Sequence, residues 1–103
     1  MYQDLVISFR NKPRDIHTVP IAPGVPKKWF YVFEKDGYIY VESGHAHFPQ
    51  NRIKMPRRLN PDEYEVMLDI YHRRKRGEHV GAEAKAATQN QIYWYGVFAD
   101  MNL

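Results

Sequence analysis

Residues 28–43 read KWFYVFEKDGYIYVES and consist of two apolar runs on either side of the dipeptide Asp36-Gly37. The runs are rich in aromatic and β-branched residues, which suit the pleated, half-buried surface of a sheet. An Asp-Gly pair between such runs favours a two-residue type I′ turn, because both central residues of that turn need a positive φ. The stretch therefore predicts a β-hairpin. Its register pairs Lys35 with Tyr38, Glu34 with Ile39, Phe33 with Tyr40, Val32 with Val41, Tyr31 with Glu42 and Phe30 with Ser43.

The predicted hairpin has two apolar faces, because successive side chains of a strand point to opposite sides of the sheet. A helix can cover one of these faces. The other must be covered by another chain segment, a second subunit or a ligand, since neither face is polar. The aromatic face carries Trp29, Tyr31, Phe33, Tyr38 and Tyr40, and the opposite face carries Phe30, Val32, Ile39 and Val41.

Two further segments, one towards each end of the chain, show patterns that favour strands. Residues 4–10 read DLVISFR and place Leu5, Ile7 and Phe9 on one side of an extended chain. Residues 91–99 read QIYWYGVFA and are apolar on both sides. These patterns predict a strand near 4–10 and another near 91–99, the second in the centre of the sheet or at an interface.

The clearest helix signal begins at Asn60-Pro61, where asparagine can cap a helix and proline suits its first position. A basic run followed by Gly77 marks the other end. The signals predict a helix over 61–76, and an alanine-rich stretch predicts a short second helix near 80–88. The core-facing stripe of the first helix is Tyr64, Met67, Leu68 and Tyr71.

The remaining stretches, residues 11–27 and 44–59, are predicted to be ordered loops because prolines interrupt them. The first loop could contain a short edge strand at 18–21. The apolar residues expected to anchor the second loop to the core are Phe48, Ile53 and Met55.

A chain of 103 residues suits one globular domain, 1–103. Because a tight hairpin makes neighbouring strands antiparallel, we expect an α+β fold with a small, mostly antiparallel sheet. The sheet would comprise hairpin 28–43 and the strands near 4–10 and 91–99, with helix 61–76 packed on one face and the short second helix near 80–88.

Composition excludes several kinds of site. The chain has no cysteine, so it has no disulfide, thiolate metal site or cysteine nucleophile. No apolar run approaches the roughly 18 residues of a membrane-spanning helix, and the N-terminus lacks the pattern of a signal peptide. Motifs for phosphate loops, serine hydrolases and zinc proteases are absent as well. We therefore expect a cytoplasmic protein with no membrane association, cofactor, metal or small-molecule ligand.

Basic residues are concentrated in a short part of the chain, because eight of the 15 lysines and arginines lie between Arg52 and Arg76. Such side chains can contact phosphates and position a nucleic acid. A second interpretation is that those at the helix end only complement its dipole. The two ends of the predicted helix are about 20 Å apart, so the residues need not form one patch. The candidate nucleic-acid-binding residues are Arg52, Lys54, Arg57, Arg58, Arg73, Arg74, Lys75 and Arg76.

The aromatic face of the hairpin also has two interpretations. If it is exposed, its rings could stack on unpaired bases. If it is buried, it belongs to the core or to a dimer interface. The leading hypothesis is a non-enzymatic, nucleic-acid-associated accessory or regulatory factor. The alternative is a protein–protein interaction module or homodimer that uses this face.

His45 and His47 support a third hypothesis. Two histidines at this spacing could point the same way from an extended segment and share a metal, but the sequence fixes no third ligand. Histidine is also the usual acid or base near neutral pH. A small metal-independent ribonuclease could use either residue, with a basic side chain on the phosphate. Histidines in surface loops are more often inert, so no catalytic or metal-binding residue is predicted.

Overall fold

The hairpin forms the centre of a four-stranded antiparallel sheet in the computed structural model, which describes all 103 residues. The strands follow one another across the sheet in chain order. All six predicted pairs of the hairpin are confirmed. Asp36 and Gly37 adopt the positive φ angles that the turn requires, 54° and 82°. The strands are β1 (Arg14–His17), β2 (Trp29–Lys35), β3 (Tyr38–Ser43) and β4 (Arg57–Leu59).

Four α-helices complete the fold, and together with the antiparallel sheet they confirm the predicted α+β class. The helix predicted over 61–76 is present as a 3₁₀ turn (Pro61–Glu63) that continues into an α-helix. The helix predicted near 80–88 is present as well. No helix is long and apolar enough to cross a membrane. The α-helices are α1 (Tyr2–Asn11), α2 (Tyr64–Lys75), α3 (Gly81–Ala87) and α4 (Gln91–Asp100).

The strand predicted near 4–10 is wrong, because this segment forms α1. Its buried side chains are Leu5, Val6 and Phe9, whereas Ile7, which the strand pattern placed beside Leu5, is exposed. Spacings of one, three and four residues define one side of a helix. A segment this short fits the two-residue period of a strand as well as the 3.6-residue period of a helix. The packing of α1 on β2 and β3 is what favours the helix.

The strand predicted near 91–99 is also wrong, because this segment forms α4, in which residues 93–98 are all buried. A helix that is apolar on every side belongs in the interior of a protein, and α4 packs against both β1 and α2. Gly96 permits α4 to approach β1 and β2 closely. A Cβ atom there would lie 2.8 Å from the carbonyl oxygen of His17 and 2.8 Å from the ring of Phe30.

Both edge strands lie in segments predicted as loops. β1 occupies Arg14–His17, just before the edge strand suggested at 18–21, and β4 spans only Arg57–Leu59. Pro13 and Pro56 directly precede these two strands. Proline is compatible with the beginning of an edge strand, so these prolines border the strands rather than exclude them.

A single hydrophobic core lies on one side of the sheet. The face that joins it, which we call the covered face, is the one with Phe30, Val32, Ile39 and Val41. α1 and α4 contact the strands directly. α2 lies on the covered side as predicted, but its main contacts are with α3 and α4. The aromatic face carries no helix and is only partly buried; we call it the open face.

Candidate functional site

The open face presents side chains from all four strands on one surface, because residues paired across strands share a face. Phe33 and Tyr40 stack near its centre with ring centroids 5.6 Å apart, and Tyr31 lies 6.1 Å from Phe33. These rings are partly exposed. The open face consists of Asp15, His17, Trp29, Tyr31, Phe33, Lys35, Tyr38, Tyr40, Glu42 and Arg58.

Residues 44–50, which we call the histidine loop, lie against β2 at one end of the open face. The backbone N–H of Trp29 donates to the carbonyl oxygen of Pro49 at 2.8 Å, and the N–H of Asn51 donates to the carbonyl oxygen of Trp29 at 2.8 Å. Gly44 allows this approach, since a Cβ atom there would lie 2.9 Å from the same Trp29 oxygen. The loop is therefore fixed to the sheet by its backbone.

The two histidines of the loop stack on aromatic rings of the open face. His45 lies over Tyr31, with ring centroids 3.5 Å apart and ring planes within 6°. His47 lies over Trp29, with centroids 4.2 Å apart. Both histidine side chains are about half exposed. The histidine loop thus covers two of the aromatic rings with imidazoles that themselves face solvent.

Asp15 of β1 holds the histidine loop in place, and its side chain is only 3% exposed. Its carboxylate accepts hydrogen bonds from the backbone N–H groups of His45, Ala46 and His47 at 2.7–3.0 Å. It also accepts one from Nδ1 of His47 at 2.9 Å. Burial alone would raise the pKa of Asp15, but these hydrogen bonds outweigh burial and lower the pKa to about 2. Asp15 is therefore ionised at neutral pH.

Each histidine near the open face has one ring nitrogen bonded and the other free. Nε2 of His45 lies 2.6 Å from the Glu42 carboxylate, Nδ1 of His17 lies 2.9 Å from the carbonyl oxygen of Thr18, and Nδ1 of His47 bonds to the aspartate described above. All three partners are acceptors, so the bonded nitrogen carries the proton. In the neutral ring, the remaining nitrogen is then a basic acceptor.

The candidate basic residues of the second loop and β4 are exposed and form no ion pair. Arg58 belongs to the open face, where its guanidinium lies 4.6 Å from the ring centroid of Tyr38. Arg57 points to the covered side and donates to the side-chain oxygen of Asn90 at 3.3 Å. We call this group the loop cations: Arg52, Lys54, Arg57 and Arg58.

The candidate basic residues at the end of α2, which we call the helix-end cations, have partners within the chain. Arg73 contacts the carboxylates of Asp69, Glu78 and Glu83. The hydrogen bonds that Arg73 donates to Glu83 and to Asp69 raise the pKa of Arg73 above its ordinary value. Arg76 pairs with Glu78 at 3.4 Å.

The other two helix-end cations lie over aromatic rings. Arg74 donates to the carbonyl oxygen of Val19 at 2.6 Å, and its guanidinium lies 4.4 Å from the ring centroid of Tyr95. Lys75 lies 5.2 Å from the ring centroid of Tyr71. The eight predicted residues therefore form two separate groups, of which the helix-end group, Arg73, Arg74, Lys75 and Arg76, is engaged in internal contacts.

Several residues near the open face differ from their expected roles. Phe48 and Met55, predicted as core anchors, are 75% and 72% exposed, and only Ile53 is buried. Asp15 and His17 carry no sequence signal for a site, since about 30 residues separate them from the histidine loop, which Asp15 contacts directly. Their part in the candidate site is visible only in the folded chain, where β1 lies close to this loop.

The structure brings no three histidine, aspartate or glutamate side chains together in a group that could hold a metal ion. His45 bonds to Glu42, whereas His72 bonds to the carbonyl oxygen of Leu103 at 3.0 Å. His79 lies between α2 and α3. Of the residues that could supply a third ligand beside His45 and His47, namely Glu42, His72 and His79, only Glu42 is thus bonded to the histidine loop.

Comparisons with known proteins give no family for this chain. No protein-family model matches it, and no curated protein or solved structure matches it either. The functional argument therefore depends on the geometry of the open face and on the charges around it.

Proposed function

We propose that this protein is a cytoplasmic accessory or regulatory factor that binds single-stranded nucleic acid on the open face of its sheet. The observation that carries this proposal is the set of partly exposed aromatic rings on a sheet with helices on one side only. Aromatic side chains on an open sheet can stack on unpaired bases of any sequence, because every base has a π face.

Phe33 and Tyr40 are the centre of the proposed surface. They lie side by side on neighbouring strands, and no ring of the histidine loop stacks on them. Tyr38 extends the surface on one side and is exposed. Phe48, in the histidine loop, is a further aromatic residue that is largely exposed. The aromatic surface is therefore long enough for more than one base.

The charges around the open face favour an anionic ligand. Its two carboxylates, Asp15 and Glu42, are hydrogen-bonded to histidines. Arg58 and Lys35, on the same face, form no ion pair. The chain as a whole carries a net charge of +3. Free cations beside stacking rings are the combination that single-stranded nucleic acids bind.

Fluorescence anisotropy with mixed-sequence RNA and DNA single strands tests the proposal. We expect binding that weakens steeply as salt rises, because phosphate contacts release counterions. The double variant Phe33→Ala, Tyr40→Ala should bind at least about fivefold more weakly, since stacking contributes about 1–3 kcal/mol per base. Val66→Ala, an exposed apolar position on α2, is the matched control and should keep its affinity.

The opposing outcome is a homodimer that buries the open face. Light scattering measures the mass of the protein at several concentrations, with and without the oligonucleotides, and so distinguishes a homodimer from a nucleic-acid-binding protein. A dimer that ignores nucleic acid, and that becomes a monomer in the Phe33→Ala, Tyr40→Ala variant, would overturn the nucleic-acid proposal. It would assign the same rings to a protein interface, since obligate interfaces are more apolar than ordinary surface.

A further inference from the structure

A cavity of about 390 Å³ opens beside β1, where the open face meets the end of α4. Its size is in the range of small-molecule sites. β1 is an edge strand of the sheet, and residues of the open face and of α4 both line the cavity. The residues that give the cavity its chemical character are Asp15, His17, Trp29, His47, Gly96 and Asp100.

Two imidazoles that line this cavity both contact one indole ring. The ring centroid of His47 lies 4.2 Å from that of Trp29, and the ring centroid of His17 lies 4.9 Å from it. The two imidazoles are therefore separated by no more than the sum of these distances. Acid–base catalysis needs both rings within hydrogen-bond reach, about 3 Å, of one substrate group, and this upper bound on their separation is compatible with that geometry.

The hydrogen bonds of both rings leave Nε2 free. Nδ1 of His17 donates to the carbonyl oxygen of Thr18, and Nδ1 of His47 donates to Asp15. Neither Nε2 atom has a partner within the chain. Two basic nitrogens in one cavity, each with its tautomer set by a partner on the opposite nitrogen, are what acid–base catalysis on a single substrate requires.

The charges in the cavity are balanced in a way that admits a phosphate. Asp15 accepts four hydrogen bonds from the histidine loop. Asp100 is held by Arg14, whose guanidinium donates to it at 2.6 Å and 3.1 Å. No unpaired carboxylate therefore faces the cavity, and a protonated imidazole adds positive charge where the phosphate would lie.

We propose that His17 and His47 are catalytic residues that cleave single-stranded RNA by general acid–base catalysis. This inference rests on the proposed function, because the open face would deliver the strand to the cavity. Asp15 is a positioning residue, since it acts on the RNA only through His47 and the histidine loop. The sequence alone suggests either His45 or His47 for such a role, whereas the geometry favours His17 with His47, because Nε2 of His45 is bonded to Glu42 and its ring lies over Tyr31.

The proposed reaction is a transesterification. One imidazole, neutral, takes the proton of the ribose 2′-hydroxyl while the 2′-oxygen forms a bond to phosphorus. The bond between phosphorus and the 5′-oxygen breaks, and the other imidazole, protonated, gives its proton to that oxygen. The products are a 2′,3′-cyclic phosphate and a 5′-hydroxyl, so atoms and charge balance without a co-reactant.

The test uses fluorogenic oligodeoxynucleotides that contain a single ribonucleotide, one for each base, with the full-length protein. We expect cleavage at the ribonucleotide, with a cyclic phosphate identified by mass spectrometry. His17→Ala and His47→Ala should each lose about 100-fold or more of the rate, the range typical of a lost acid or base. His47→Asn keeps an amide donor near the position of Nδ1, the nitrogen that bonds to Asp15, so its loss of rate cannot be ascribed to release of the loop. His79→Ala, exposed between α2 and α3, is the matched control.

Two results would overturn the proposed RNA-cleaving activity. One is the absence of cleavage by the wild-type protein, and the other is equal cleavage by wild type and by the double variant His17→Ala, His47→Ala purified in the same way. Binding is measured separately with the 2′-O-methyl oligonucleotide, which lacks the attacking hydroxyl. A protein that binds this oligonucleotide but cleaves nothing contradicts the activity alone, whereas a protein that does not bind it contradicts the proposed function as well.

Discussion

The covered and open faces of the sheet are built from the same strands, yet their side chains have different surroundings. On the covered face, Phe30, Val32, Ile39 and Val41 are fully buried beneath the helices. On the open face, the rings of β2 and β3 contact each other, the histidine loop and solvent. Helices α1 and α4 thus pack directly on one face, while a single loop lies on part of the other.

This difference predicts that stability and the proposed recognition depend on different faces of one sheet. Side chains on the covered face contribute to the free energy of unfolding through burial of apolar area. Side chains on the open face bury less area and retain free surface for a ligand. We therefore expect substitutions on the covered face to change stability, and substitutions on the open face to change binding with a smaller effect on stability.

The largest effect is expected on the covered face. Phe30→Ala removes a fully buried ring that contacts Tyr93 and Gly96 of α4, and should lower the free energy of unfolding by about 3–5 kcal/mol. Urea unfolding, followed by tryptophan fluorescence, measures this loss in the free energy of unfolding. A loss below about 1 kcal/mol would show that the two faces do not differ as described.

A smaller effect is expected at Asp15, the link between β1 and the histidine loop. Its folded pKa of about 2 lies below the ordinary 3.8. The resulting stabilisation, about 2 kcal/mol, is complete above about pH 5 and is lost as the pH falls through 3.8 towards 2.

Urea unfolding of wild type and Asp15→Asn between pH 2 and pH 7 measures this contribution. The gap between the two proteins should be widest at neutral pH and should narrow as acid protonates the wild-type carboxyl. A gap that does not change with pH would mean that the charge of Asp15 does not hold the loop.

Phe33→Ala gives the counterpart to Phe30→Ala on the open face. Its ring is only partly buried, so we expect a loss of about 1 kcal/mol in the free energy of unfolding. Measured under the same urea conditions, a loss as large as that of Phe30→Ala would place the ring in a second core and remove the distinction between the faces.

The smallest effect on stability is expected at the basic residues. Arg58→Gln should change the free energy of unfolding by less than about 0.5 kcal/mol, yet reduce the slope of log affinity against log salt by about one. Arg76→Gln, in which the arginine is paired with Glu78, is the control and should keep the wild-type slope. Equal slopes for both variants and wild type would exclude a phosphate contact at Arg58.

The hairpin could be predicted to the residue because its signal is local. The turn dipeptide and the alternation on each side of it set the register without any distant contact. The segments 4–10 and 91–99 lack such a signal. Their apolar patterns fit a strand as well as a helix, and their packing on the sheet and on α2 determined the outcome. The edge strands β1 and β4 are too short to leave a periodic pattern.

The candidate site could be predicted only in part for the same reason. The aromatic residues of the open face follow from the hairpin, but its exposure depends on where four distant helices pack. Asp15 contacts the histidine loop across about 30 residues of chain, and His17 lines a cavity with His47 of that loop across the same distance in sequence. The separation of loop cations from helix-end cations depends on carboxylates such as Glu83, which contact Arg73 only in the folded chain.

Gly96 connects two properties that are usually varied independently. It lies in the interface between α4 and the sheet, and it also lines the cavity beside β1. A larger residue at this position would push the helix away from His17 and Phe30, so it would alter the width of the cavity and the free energy of unfolding together. Neither natural variation nor engineering at position 96 can therefore adjust the access of a ligand to the cavity without also changing how tightly the helical layer is attached.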